Sequence, residues 1–217
     1  MKTIAIDGPS GAGKSAIASA LAKRLGYEYI DTGALYRTIA YIAVREGGDL
    51  STEELLKRVD AQTIDYKDGA VQLNGEALGD VIRTEAISQK TSQLSKEPAV
   101  RDYLLSLQRR LAEDGGVVME GRDIGTVVLP SADVKFFLTA SEEERARRRY
   151  EQRLAFGEAV DMETIKADIH ARDERDKNRT VAPLKQAADA ILVDSTSMNE
   201  EEVLDTMVNY VENGHVL

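Results

Sequence analysis

Apolar residues along this chain alternate between short dense runs and stretches where they recur every third or fourth position. Ile4-Ala5-Ile6 is a dense run. Ile17, Leu21 and Leu25 then recur at helical spacing up to Gly26, a helix stop. The alternation repeats. Residues 27–30 predict a second strand ending at Asp31. Leu35, Ile39 and Ile42 predict a helix capped by Asp31 or Thr32. Ser51 and Glu54 form a capping box for a short helix through Leu55 and Val59. Val117-Val118-Met119 and residues 134–138 are apolar runs suited to strands buried on both faces. Residues 190–193 predict a last strand, and Asn199 caps a terminal amphipathic helix with Val203, Leu204, Met207 and Val211.

Residues 63–78 break this rhythm. Short β-prone pieces flank Lys67-Asp68-Gly69, and Asn74-Gly75 follows; Asp-Gly and Asn-Gly are hairpin signals. A small antiparallel meander inserted into a β/α chain is the expectation. Residues 83–95 predict a helix. Another opens with Pro98 and carries Val100, Leu104, Leu107 and Leu111 on one side, with Gly115-Gly116 as its stop. Ser141 and Glu144 read as a further capping box, for a helix holding Arg145, Arg147, Arg148, Arg149 and Arg153; Gly157 interrupts it. Residues 165–177 predict a polar helix with Ile165 and Ile169 inward and with Arg172 and Asp176 on one face, before Pro183 breaks the chain. The whole pattern predicts an α/β chain: a three-layer sandwich on a mostly parallel sheet.

Composition narrows the function classes. A length of 217 residues suits one globular unit, or a core with one inserted subdomain. No apolar run approaches the roughly 18 residues of a membrane span, and the chain runs straight into its first strand, so neither a transmembrane helix nor a signal peptide is expected. The absence of cysteine excludes disulfides and Cys-ligated zinc and fits a reducing cytoplasm. His170 and His215 are too few for a His-rich metal site and read as surface residues. A formal charge of −10 argues against a broad nucleic-acid-binding face. Any polyanion must therefore meet a local cluster of arginines.

The clearest chemistry lies between the first strand and the first helix. Gly8-Pro9-Ser10-Gly11-Ala12-Gly13-Lys14-Ser15 has the spacing G-x-x-x-x-G-K-[ST] of a phosphate-binding P-loop. Its glycines let successive backbone N–H groups face one concave nest at a helix N-terminus, where the helix dipole favours an anion. Lys14 adds a point charge for β- and γ-phosphates, and the Ser15 hydroxyl suits Mg²⁺. The Asn-Lys-x-Asp and D-x-x-G signals of a GTPase switch are absent.

Four blocks in order give a fuller assignment. They are the P-loop; Asp31-Thr32-Gly33-Ala34-Leu35-Tyr36-Arg37; Glu120-Gly121-Arg122-Asp123-Ile124-Gly125-Thr126; and Arg172-Asp173 through Asp176 to Arg179 with Ala182-Pro183-Leu184. Together, over residues 2 to about 210, the chain resembles the bacterial cytidylate kinases, a family of nucleoside monophosphate kinases. The resemblance implies a P-loop kinase fold with a five-stranded parallel core sheet in one kinase unit. Its core would be 1–59, 96–147 and 180–217. A small antiparallel β/helical monophosphate-binding insertion would fill about 60–95. A short lid at about 148–160 would lead into an Arg-rich helix ending near 179.

The activity implied is transfer of the γ-phosphoryl group of ATP, with Mg²⁺, to CMP or dCMP; a UMP-accepting or other P-loop kinase is the alternative. ATP would be held by Gly8 through Ser15 and Ala16, with Arg148 and Arg149 from the lid, and Ser15 would face the metal. Lys14, Arg37, Arg122 and Arg179 would be catalytic. CMP would meet Thr32, Arg37, Ser92, Arg101, Arg122, Asp123, Arg172, Asp176 and Arg179, with Ser92, Arg101 and Asp123 reading the base. A cytoplasmic monomer that binds neither nucleic acid nor membrane is expected. One position departs: the family often has Asp where this chain has Glu120.

Overall fold

The computed structural model describes residues 1–47, 50–67, 69–155 and 157–214. Asp68 of the first turn and His215 lie outside the described residues. In chain order the elements begin β1 (Thr3–Asp7), α1 (Lys14–Leu25), β2 (Glu28–Asp31), α2 (Thr32–Arg45) and α3 (Thr52–Asp60). A meander follows, β3 (Ile64–Lys67), β4 (Ala70–Leu73) and β5 (Glu76–Ala77), then α4 (Glu85–Leu94) and α5 (Pro98–Leu111). The chain closes with β6 (Val117–Gly121), β7 (Val134–Thr139), α6 (Glu142–Ala155), α7 (Met162–Asn178), β8 (Ile191–Asp194) and α8 (Glu200–Asn213).

β2, β6, β1, β7 and β8 lie side by side in that order as one parallel five-stranded sheet. Alternation along the strands serves two cores. Ile4, Ile6, Val118 and Phe136 pack with Ile17, Leu21, Met207 and Val211 of α1 and α8. Ala5, Ile30 and Met119 face the other way, against Leu35, Ile39 and Leu104 of α2 and α5. The three-layer expectation therefore holds. Register aligns the carboxyl ends: Asp7 sits opposite Gly121, and Asp31 opposite Glu120. In open α/β sheets ligands bind outside these ends.

The meander is a separate antiparallel sheet, pairing Ile64 with Leu73 and Tyr66 with Val71. Its apolar face joins the core that holds α2, α3 and α5. The Asp31 amide donates to the Tyr66 hydroxyl (3.0 Å), and the Gly69 amide to Glu28 (3.2 Å), which ties the meander to both ends of β2.

Several local expectations shift. The helix predicted at 83–95 begins at Glu85, because Thr84 accepts from the Ile87 amide as its cap after a 3₁₀ turn over Gly79–Arg83. α7 starts earlier than predicted, since Asp161 caps it through the Thr164 amide (2.8 Å). At Ser141 the capping box is half formed. Ser141 Oγ accepts from the Glu144 amide (3.2 Å), but the Glu144 carboxylate is taken by Arg147 and Arg148. An unpredicted π-helical turn spans Ile124–Val128, where Asp7 draws in the amides of Ile124 and Gly125, each at 2.7 Å.

Candidate active site

The phosphate loop leaves β1 at its carboxyl end. Gly8 has φ +154°, and a Cβ there would stand 1.9 Å from the Leu138 carbonyl oxygen, so the loop requires glycine. Lys14 opens α1 and is buried, its ammonium donating to the Pro9 carbonyl (2.7 Å). Burial pushes its pKa down, Arg122 adds to that, and Glu120 opposes it. Ser15 and Ala16 are exposed on the first turn of α1.

Two arginines of α6 brace the loop from behind. Arg145 is buried, pairs with Asp173 of α7 (2.6 Å) and donates to the carbonyls of Ser10 (3.0 Å) and Ala140 (2.9 Å). Arg148 donates to the carbonyls of Ala12 (3.5 Å) and Ser195 (2.7 Å) and pairs with Glu144 (2.8 Å). Arg149 is exposed and donates to Gln152, with its charge acting on Arg172. Arg147 and Arg153 bond Glu144, Glu151 and Glu158 on a solvated face.

Two carboxylates lie beneath. Asp7 is 3% exposed, and burial pushes its pKa up to about 6 against the pull of its two amide donors. Glu120, also buried, accepts from the Tyr29 hydroxyl (2.7 Å). The Glu120 carbonyl accepts from Thr32 Oγ1 (2.7 Å). A Cβ on Gly121 would come within 2.8 Å of that Thr32 oxygen and 2.6 Å of Ile124, so a side chain would separate α2 from β6.

The remaining candidates converge beyond this row. Thr32, Tyr36, Arg101, Gln108, Asp123 and Val181 line a cavity of about 70 Å³. Asp123 is buried and receives Arg101 (2.7 Å) and Arg179 (3.2 Å), one on each oxygen. The Arg101 guanidinium also lies 5.9 Å above the Tyr36 ring. Arg179 donates through Nε to the Ala182 carbonyl, in a loop where Ala182 has φ 50°. Arg37 pairs with Asp31 (2.6 Å), which also caps α2, and its buried Nε makes no hydrogen bond among the described residues. Arg122 pairs with Asp176 (3.0 Å).

Arg172 and Asp176, predicted to share a face, do not pair. The Asp176 carboxylate is turned to Arg122 at the end of β6, and Arg172 makes no hydrogen bond or ion pair among the described residues. Partial desolvation and then Arg122 pull Arg172 down to about 10, so it stays charged at neutral pH. Ser92 reaches the cavity indirectly: its carbonyl accepts from the Ser95 hydroxyl (3.3 Å), and the Ser95 carbonyl from Arg101 (3.4 Å). Its own hydroxyl faces Arg175 (3.5 Å).

Sequence reasoning missed four residues of this site. Asp7 was legible only as the residue before the P-loop. Tyr36 lay inside a recognised block without a role. Arg145 was one member of a charged run, and nothing in the pattern paired Tyr29 with Glu120. The assembled site combines the phosphate loop with a cavity of mixed polar and apolar lining, in which Asp123 is held by Arg101 and Arg179.

A family model described as cytidylate kinase matches residues 4–213. A protein of Pseudomonas paraeruginosa named cytidylate kinase is 52% identical, covering 96% of this chain and 94% of its own. One from Bacillus subtilis with the same name is 49% identical, covering 97% and 96%. Among solved structures, an uncharacterized protein from Eubacterium ventriosum superposes with a TM-score of 0.53 at 15% identity, over 97% of this chain and 98% of that one, which is a likeness of fold.

Proposed function

The chain belongs to the cytidylate kinase family, and on that premise we propose how its residues phosphorylate CMP. It is an ATP-dependent cytidylate kinase that converts CMP or dCMP to the diphosphate. Transfer of a phosphoryl group asks little covalent chemistry of a protein; it asks for alignment, charge neutralisation and exclusion of water. The nest of residues 8–15 and Lys14 hold the donor phosphates, with Ala16 beside them. Lys14 leaves the Pro9 carbonyl to meet the phosphate, a stronger acceptor. Arg148 sits at the loop already, and Arg149 closes from the lid. Arg37, Arg122 and Arg179 clamp the acceptor phosphate, since the guanidinium fork suits phosphate oxygens. Arg172 and Asp176 face the ribose, and Thr32, Ser92, Arg101 and Asp123 the base side. No general base is invoked.

The family's chemistry generally needs a divalent metal, and we assign Mg²⁺. The donor set suits it. The Ser15 hydroxyl is exposed at the helix N-terminus, and Mg²⁺ characteristically takes one or two protein ligands together with substrate phosphates. When bound it neutralises charge on the β- and γ-oxygens. No helix among the described residues is long and apolar enough to cross a membrane. A cytoplasmic monomer without nucleic-acid partners completes the proposal.

The observation that carries the substrate assignment is Asp123 gripped by Arg101 at the cavity. Cytosine offers an N4 amino donor to a carboxylate and acceptors at N3 and O2 to a guanidinium. Uracil reverses two of these positions, and mispaired buried polar groups discriminate strongly. A coupled assay of ADP release with CMP, dCMP, UMP, AMP and GMP tests it. CMP and dCMP are expected to lead; equal efficiency on UMP or a purine nucleotide would overturn the assignment.

A further inference from the structure

Glu120 stands on the same sheet face as Tyr29. Glu120 lies opposite Asp31, and Tyr29 opposite Val118 two residues back, so the two are diagonal neighbours across β2 and β6. Only long side chains close that diagonal, and the Tyr29 hydroxyl reaches Glu120 Oε1 at 2.7 Å. Burial, and then the Glu120 charge, drive the Tyr29 pKa strongly upward, so the hydroxyl keeps its proton and donates. On its other side Glu120 is level with Ile6 in the stem of the phosphate loop, and its charge acts on Lys14.

A buried carboxylate beside two cations would be expected to pair with one of them. It does not. Lys14 donates to the Pro9 carbonyl, Arg122 pairs with Asp176, and the Glu120 oxygen Oε2 makes no hydrogen bond among the described residues. Tyr29 holds the other oxygen.

We infer that Tyr29 is a positioning residue: its hydroxyl anchors Glu120 so that the carboxylate stays beside the phosphate loop without collapsing onto Lys14. The inference rests on the kinase reading above. An aspartate at position 120 would be one methylene shorter and would fall short of Tyr29 across the diagonal. Without the hydroxyl, the free rotamers of Glu120 let it salt-bridge Lys14 and compete with the donor phosphates.

The test is a double-mutant cycle in the full chain, with kcat and both KM values measured beside the thermal midpoint. The unaltered protein comes first: no CMP-dependent ATP consumption there would sink the kinase reading, and the cycle is interpreted once it is active. Tyr29→Phe is expected to lower kcat/KM for ATP about tenfold, within the range shown by coupled neighbours, while KM for CMP holds. In the Glu120→Asp background the same Tyr29→Phe change should cost less than about twofold, because the hydroxyl has nothing to hold. An equal cost in both backgrounds overturns the inference. So does an unchanged kcat/KM for ATP in Tyr29→Phe, or a loss shared equally by ATP and CMP that follows the thermal midpoint down.

Discussion

The two halves of the site solve the phosphate problem differently. The donor half, from β1 through the phosphate loop to α1, is built from backbone. Lys14 bonds a carbonyl, and Arg145 and Arg148 also reach main-chain oxygens of the loop. The acceptor half is built from side chains already matched to anions. Arg37 holds Asp31, Arg122 holds Asp176, and Arg101 and Arg179 share Asp123. In the donor half Lys14 is bonded by no carboxylate among the described residues, and the two arginines that are, to Asp173 and Glu144, still reach the loop's carbonyls. In the acceptor half the carboxylates keep mutually repelling arginines apart and aimed, and an incoming phosphate must compete with them. On the proposed function, the first half recognises phosphate in general and the second recognises one nucleotide.

The largest expected effect tests the donor half. Lys14→Ala removes the charge that stabilises the transferring group and should cost about 3–4 kcal/mol, or roughly 10²–10³ in turnover. Because the loop is held by backbone and by Arg145, the thermal midpoint should move little. Near-normal turnover would break the comparison at its root. Arg101→Met comes next and tests the other half. It should lower efficiency on CMP by about 2–3 kcal/mol and far less on UMP, with ATP affinity unchanged. Asp123→Ala should narrow the same gap, though it also frees Arg179. An unchanged CMP-to-UMP ratio in both variants would mean that base choice lies elsewhere.

The same contrast explains what could be read from the sequence. The donor half is one contiguous motif between a strand and a helix, so spacing alone revealed it. The sheet was equally legible, because parallel strands buried on both faces leave apolar runs too brief for a buried helix. The acceptor half is collected from residues 31–37, 92–101, 120–123 and 172–179, brought together only by folding. Family resemblance supplied the candidates proposed for it, but their pairings depend on which side chain is nearest in space. That is why helical spacing suggested Arg172 with Asp176, whereas Asp176 meets Arg122, far away in sequence. The π-helical turn at Ile124–Val128 was invisible for the same reason: its cause is Asp7, on another strand.

A smaller effect sharpens the acceptor half. Asp176→Ala removes both the partner of Arg122 and the proposed acceptor for ribose hydroxyls. The ribose contribution, read as the difference between CMP and dCMP, should be about 1.5 kcal/mol, falling on CMP because dCMP lacks the 2′ hydroxyl. Equal losses on the two substrates would show that Asp176 acts only by aiming Arg122.

The smallest effect concerns Asp7, which joins the halves by holding the amides of Ile124 and Gly125 from the strand that launches the phosphate loop. Burial raises its pKa from 3.8 to about 6. The folded state therefore binds a proton more tightly than the unfolded chain between those values. Stability from this group is fullest at low pH and is lost as pH rises through about 6, the reverse of a salt-bridged carboxylate. The ceiling on that loss is about 3 kcal/mol. Asp7→Asn removes the buried charge but can accept through only one oxygen, giving up one amide bond at a cost of about 1–3 kcal/mol. At pH 7.5 the two terms nearly cancel, and the variant should lie within about 1 kcal/mol of the parent. At pH 5 much of the Asp7 population is protonated in the fold, so the parent regains stability and the variant should fall behind. Denaturant unfolding at the two pH values measures this. A variant that keeps the same offset from the parent at both would show that Asp7 does not titrate in this window, and that its two amide bonds hold it ionised as part of the backbone frame.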